Sequence, residues 1–268
     1  MIHMLKLGVI GCGNMATAIL RGVAAGYAGD FAFSGYDVSP EKAAALADIG
    51  LRAQDSIAGV VAEADYVLLS VKPQNIGEVL ARIAACPEKD RVFLSIAAGV
   101  PAQRIKRELG YDAKVVPIMP NTPLLVGKGA TAMAQVAPVT EREFATAQEI
   151  FRCAGVVREI RPDQMSPIIA INGSSPAFIY EFAKGFLAYA EKEGIDSAAA
   201  LALFSQSLRG AADMLDNSGY TVDQLIQMVS SKGGTTIAGL DAFRENGLEK
   251  AILAGCEACT KRAYELAE

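Results

Sequence analysis

The chain has 268 residues and a net charge of −5, with 51% hydrophobic and 21% charged residues. That length suggests about two domains with a packed core. The acidic balance and the lack of a basic patch exclude nucleic acid and anionic membrane surfaces as partners, and no run of about 18 apolar residues offers a membrane span.

His3 is the only histidine, which excludes a His-based triad and argues against a His-bearing metal site. The five cysteines, Cys12, Cys86, Cys153, Cys256 and Cys259, are odd in number and scattered, unlike a disulfide framework. Cys256-x-x-Cys259 sits in a helical pattern with no second Cys or His pair, so no metal is expected. Lys6 precedes an apolar stretch as in a signal peptide, but Gly11, Gly13 and Asn14 interrupt it. A reducing cytoplasm is the expected location.

In chain order, Leu7–Ile10 reads as a buried strand, Gly11-Cys12-Gly13 as a sharp turn, and Asn14 onward as a helix with Met15, Ala18, Ile19 and Val23 on or near one face. Strand, glycine turn and helix start form the geometry that holds a pyrophosphate. Ala16 fills the third small position of the G-x-G-x-x-A pattern. Asp37 follows Gly13 by 24 residues, at the end of the apolar run Phe31–Tyr36, where a ribose-binding carboxylate belongs. Asp37 would favour NAD over NADP, although Ser39 and Lys42 stand ready to receive a 2′-phosphate.

Ser39-Pro40-Glu41 opens a helix to about Asp48. Asp65–Val71 is nearly all apolar, as in a parallel strand covered on both faces, and Lys72-Pro73-Gln74 follows its carboxyl end. A helix over Ile76–Ala85 precedes a strand over Val92–Ile96, which ends in the small residues Ala97-Ala98-Gly99. These suit close approach by a flat ring, or simply a turn. Pro101–Leu109 is a helix and Lys114–Met119 a strand, followed by the stiff loop Pro120-Asn121-Thr122-Pro123. Gly129–Ala134 is a further strand. Thr140-x-x-Glu143 is a capping box for a helix ending near Gly155, and Val156–Ile160 closes the domain. This alternation predicts a parallel, doubly wound α/β sheet over 1–161.

From 162 to 268 strand signals vanish and an all-helical domain is expected. Gln164–Glu193 is one long segment kinked at Asn172-Gly173-Ser174-Ser175-Pro176 and stopped by Gly194. Ser197–Asn217 is a second helix, Thr221-x-x-Gln224 caps a third, and Phe243, Ile252 and Leu253 belong to the last helices. These helices are apolar around much of their circumference, which implies a dimer interface. Ser230-Ser231-Lys232-Gly233-Gly234-Thr235-Thr236 precedes one of them. Its glycines and hydroxyls suit a substrate carboxylate, with a capped flexible turn as the alternative.

Val229–Phe243 resembles the C-terminal signature of pyrroline-5-carboxylate reductases. Ile10–Met15, Val71–Gln74, Ser95–Gly99, Met119–Pro123 and Gly173–Ala177 match the family in the same order. The resemblance implies a Rossmann-type domain, a helical dimerisation domain, and NADPH- or NADH-dependent hydride transfer to C5 of 1-pyrroline-5-carboxylate. The product would be L-proline, completing proline biosynthesis. It implies a homodimer, with rings of dimers possible, in which one subunit's helical domain completes its partner's site.

Carried over by position, Gly11, Gly13, Asn14 and Met15 bind the pyrophosphate, with Asp37 and Ser39 at the adenosine ribose. Val71, Lys72, Pro73, Ala97 and Ala98 line the nicotinamide side, and Asn121 joins the cofactor set. Ser231, Gly233, Gly234 and Thr235 receive the substrate carboxylate, and the Thr236 hydroxyl hydrogen-bonds the ring nitrogen as the catalytic contact. Two departures stand out. Lys232 replaces the family's proline and is read as facing solvent, and Thr221-Val222 replaces its His-Pro. The rivals are a hydroxyacid or imine reductase, for which Lys184 and Lys192 are poorly spaced candidates, and a nucleotide-sensing protein without activity.

Overall fold

The structure, a computed structural model, describes residues 4–267. His3 lies outside them. The first part of the chain contains β1 (Leu5–Ile10), α1 (Asn14–Gly26), β2 (Phe31–Tyr36), α2 (Pro40–Ala44), β3 (Leu51–Ala53), α3 (Ile57–Glu63) and β4 (Tyr66–Leu69). It continues with α4 (Ile76–Ala84), β5 (Val92–Ser95), α5 (Ala102–Leu109), β6 (Lys114–Met119), β7 (Gly129–Met133), α6 (Glu141–Arg152) and β8 (Gly155–Glu159). The eight strands form one sheet in the order β3-β2-β1-β4-β5-β6-β7-β8.

The period-2 pleat sorts the apolar strands into two cores. Leu7, Val9, Leu68, Leu94 and Val116 face the layer of α1 and α6, against Ile19, Leu20, Ile150 and Phe151. Ile10, Val67, Leu69, Phe93 and Val115 face α3, α4 and α5, against Val60, Leu80 and Ile105. Covering on both faces is why these strands read as unbroken apolar runs. Gly8 lets α3 come close: a Cβ there would sit 2.6 Å from the Val60 side chain and 2.7 Å from Ala64.

The sheet departs from the expected all-parallel arrangement at one pair. β7 runs antiparallel to β6, with Ile118 opposite Met133 and Met119 opposite Ala132. A parallel connection needs a crossover of a dozen or more residues, and the segment between these strands holds only the 3₁₀ turn Thr122–Val126. β8 is again parallel to β7, because α6 crosses over between them. Two smaller differences lie near the start. The helix expected from Ser39 to Asp48 breaks after Ala44, continues as a 3₁₀ turn over Ala47–Ile49, and stops at Gly50 with φ +82°. The short strand β3, absent from the sequence reading, then follows. The Thr140 capping box is present: the Glu143 N–H donates to the Thr140 hydroxyl at 3.3 Å, and the Thr140 N–H donates to the Glu143 carboxylate at 2.9 Å.

The remainder is helical: α7 (Ser175–Lys192), α8 (Ser197–Asn217), α9 (Val222–Met228), α10 (Thr235–Glu245) and α11 (Leu248–Ala267). The kink expected at 172–176 takes the form of a π-helix over Ile169–Gly173, after which α7 starts afresh. The last strand ends at Glu159, whereas the first compact unit runs on to Pro176 and includes the chain from Glu257. The second unit is Ala177–Cys256. It carries an aromatic cluster, with Phe186 stacked on Phe204 at 4.5 Å and Phe182 edge-on to Phe186 at 5.0 Å. No residue of α8 is buried, and Leu201, Leu203, Leu215, Ile252 and Leu253 are exposed. Among the described residues, no helix is long and apolar enough to cross a membrane.

Candidate active site

The strand order reverses between β1 and β4, and at such a switch point ligands bind beyond the carboxyl ends of the strands. Register aligns those ends: Tyr36, Ile10, Leu69, Ser95 and Pro117 stand side by side across five strands. The residues that follow each strand therefore meet along one edge.

At the centre of that edge is the glycine turn. Gly11 has φ +94°, and its N–H donates to the Tyr36 carbonyl at 2.8 Å. A Cβ there would lie 2.5 Å from the Ser70 carbonyl oxygen, so only glycine fits. Gly13 caps α1 in extended conformation without a side-chain hydrogen bond, and a Cβ there would meet nothing within 4 Å. The first helical bond runs from the Thr17 N–H to the Gly13 carbonyl at 2.9 Å. The preceding N–H groups of Asn14, Met15 and Ala16 therefore form the open, positive end of a 13-residue helix. Bare backbone donors beside open space fit a pyrophosphate.

The structure gives Asp37 a task that the sequence reading missed. One carboxylate oxygen accepts the Cys12 N–H at 2.8 Å, and the other accepts the Ser39 N–H at 2.9 Å. Lys42 pairs with it at 3.6 Å, and the Asp37 side chain is only 8% exposed. Asp37 thus braces the glycine turn from behind, across 25 residues of sequence. Burial and the neighbouring Asp37 push the Cys12 thiol up to about 11.

Val71 reaches the same turn, its Cγ1 3.0 Å from where a Gly11 Cβ would be. Exposed Lys72 and half-buried Pro73 follow, starting a 3₁₀ turn. Ala97 is buried and Ala98 half-buried after β5. Gly99, at φ +75°, admits Leu266 of α11, whose Cβ would lie 2.9 Å from a Cβ there. A cavity of about 80 Å³ behind this edge is lined by Ser95, Ala97, Val100, Met119 and Met165 among others. Asn121 is 8% exposed, and its side-chain amide is committed inside the fold. The oxygen accepts the Ala130 N–H at 2.9 Å, and the nitrogen donates to the Asn172 carbonyl at 3.3 Å.

The loop before α10 lies in the second unit. Gly233 has φ +74°, and the Gly234 N–H donates to the Ser231 carbonyl at 2.9 Å. No described non-glycine residue has positive φ, so this is a type II turn with Lys232 at its second position, a place that favours proline. Lys232 is exposed. Gly234 caps α10, and exposed Thr235 and Thr236 form its first turn beside uncapped N–H groups. Among the described residues, no cluster of His, Cys, Asp and Glu suits a metal ion.

The doubly wound sheet with a bare glycine turn at its switch point defines a Rossmann-type dinucleotide-binding protein. Residues 6–99 match a family model described as NADP oxidoreductase, coenzyme F420-dependent, and residues 162–266 match one described as pyrroline-5-carboxylate reductase dimerisation. Pyrroline-5-carboxylate reductase of Escherichia coli (strain K12) is 36% identical over 265 residues, covering 98% of each chain. The Coxiella burnetii pyrroline-5-carboxylate reductase structure superposes with a TM-score of 0.89 at 30% identity, covering 98% of both chains. The Plasmodium falciparum pyrroline carboxylate reductase with NADP bound gives 0.89 at 26%, again covering 98% of both. The chain belongs to the pyrroline-5-carboxylate reductase family.

Proposed function

We propose that the chain reduces 1-pyrroline-5-carboxylate to L-proline with NADPH or NADH, closing proline biosynthesis. The observation that carries this reading is 36% identity to the Escherichia coli enzyme across 98% of both chains. The nicotinamide, when bound, supplies the hydride. The first turn of α1 would hold the pyrophosphate, and Ala97 and Ala98 offer a flat apolar wall to the ring. Ser231, Gly233, Gly234 and Thr235 would bind the substrate carboxylate at the start of α10, and the Thr236 hydroxyl would donate to or accept from the ring nitrogen.

The C=N bond is already electrophilic once its nitrogen is protonated. The chain therefore needs to orient and to place dipoles rather than to supply a strong acid, which suits an inventory with a single histidine.

Both cofactors are expected to serve. The Asp37 carboxylate is turned toward the glycine turn, and Ser39 and Lys42 stand beside it for a 2′-phosphate. The dimerisation-family match and the exposed apolar helices support a homo-oligomer, and we extend this to a dimer, with a ring of dimers as the larger form. A reducing cytoplasm suits the five unpaired cysteines. Following NADH and NADPH oxidation with 1-pyrroline-5-carboxylate, and with simple keto acids as controls, tests the reading. Turnover is expected only with the pyrroline. Turnover of keto acids alone would replace it with a hydroxyacid dehydrogenase.

A further inference from the structure

The π-helix at Ile169–Gly173 places an asparagine where packing alone would favour an apolar residue. Asn172 is 8% exposed, and its side-chain nitrogen donates to the carbonyl of Met119 at 2.6 Å. Its own backbone carbonyl accepts the Asn121 amide at 3.3 Å and the Ser175 hydroxyl at 3.4 Å. One residue thus grips both ends of the short stretch from the last residue of β6 to Asn121. The next residue tightens the grip, since a Cβ on Gly173 would sit 3.1 Å from the Met119 sulfur.

Burying amides in this way costs desolvation and is retained only where the bonds are made. π-Helical turns are rare and concentrate at functional sites. The gripped stretch also has an address. β6 ends beside β5 on the ligand edge of the sheet, with Ser95 opposite Pro117. Met119 and Ala97 line the same cavity there. Because β6, which ends at Met119, is paired with β5, which leads into Ala97, a shift of Met119 reaches the Ala97 wall through that pairing.

We propose that Asn172 is a positioning residue: by holding the Met119 carbonyl and carrying Asn121, it fixes the loop after β6 and so sets the seat of the nicotinamide ring. This rests on the reading that Ala97 and Ala98 face that ring. Asn172 is buried and its polar contacts are with Met119, Asn121 and Ser175, so its effect is exerted through Met119.

Two variants of the full chain test it. Asn172→Ala removes the amide. Gly173→Ala keeps every hydrogen bond and presses a methyl toward the Met119 sulfur, so it decides the matter should the first not fold. Small misplacements of reacting groups are costly, so both are expected to lower kcat about tenfold. KM for 1-pyrroline-5-carboxylate stays within about twofold, and the isotope effect with 4-deuterated cofactor rises as hydride transfer becomes limiting. By calorimetry, NADPH binding weakens about threefold or more.

Loss of thermal stability alone, with kcat, isotope effect and NADPH affinity unchanged, overturns the proposal. If the unmodified chain does not reduce the pyrroline, the functional reading fails, and the calorimetric comparison still decides whether Asn172 shapes the cofactor seat.

Discussion

On the proposed reading, single residues at the starts of α1 and α10 carry separate tasks, cofactor at the first and substrate at the second. Thr236→Ala is expected to cut kcat roughly 10²-fold, the scale of a lost positioned proton partner, while calorimetric NADPH affinity stays unchanged. A matching loss of NADPH binding would move that loop from substrate to cofactor. Asp37→Asn keeps the shape of the brace but turns one acceptor into a donor facing the Cys12 or Ser39 N–H. The turn should loosen, with KM rising for NADH and NADPH alike. A selective gain for NADPH would return Asp37 to the ribose-reading role expected from its position. That expectation came from spacing, which locates the carboxylate at the end of β2 but cannot say which way it faces. Its contact with Cys12 bridges 25 residues and leaves no local pattern.

Elements with local signals were legible nearly to the residue. β6 and α8 fall as read, and the caps at Thr140 and Thr221 form as their side-chain spacing requires. What stayed hidden depends on partners. Three-residue β3 exists only because β2 lies beside it, and the direction of β7 is fixed by a connector too short to cross over. The glycine turn at the switch point was plain from its pattern, whereas the Asn121–Asn172 joint needed the fold to bring its halves together.

One tertiary tie predicts a pH response. Lys114 bridges Asp90 and Glu143, the latter at 2.7 Å. The Lys114 ammonium lowers Asp90. Burial would raise Glu143, yet Lys114 and the Thr140 donors outweigh it and leave it lowered. The hydrogen bonds that the Lys114 ammonium donates to both carboxylates raise Lys114 itself. Carboxyls depressed in the fold stabilise it above their ordinary range near pH 4 and lose that contribution as pH falls through their folded values. A raised lysine contributes below its ordinary value and fades as pH rises past it. Melting temperature should therefore hold a plateau at neutral pH and drop in acid. Lys114→Met should lower the plateau and flatten the acid limb, and an unchanged pH profile would show that the tie contributes nothing.

For the whole molecule, the second unit's helices keep their apolar residues exposed, with Leu203 at 70%. A monomer rarely leaves such surface uncovered. Leu203→Glu should shift sedimentation toward a smaller species at micromolar concentration, and an unchanged mass would place the contact on another face.

The height of the Cys12 thiol bears on how such an enzyme endures oxidising stress. Burial and Asp37 push its pKa up to about 11, so at neutral pH the sulfur rests as the thiol rather than the reactive thiolate. The sulfur nearest the nucleotide turn is therefore a poor target for peroxide, electrophiles or mixed-disulfide formation. The turn from which α1 starts is thus guarded against modification at its own sulfur.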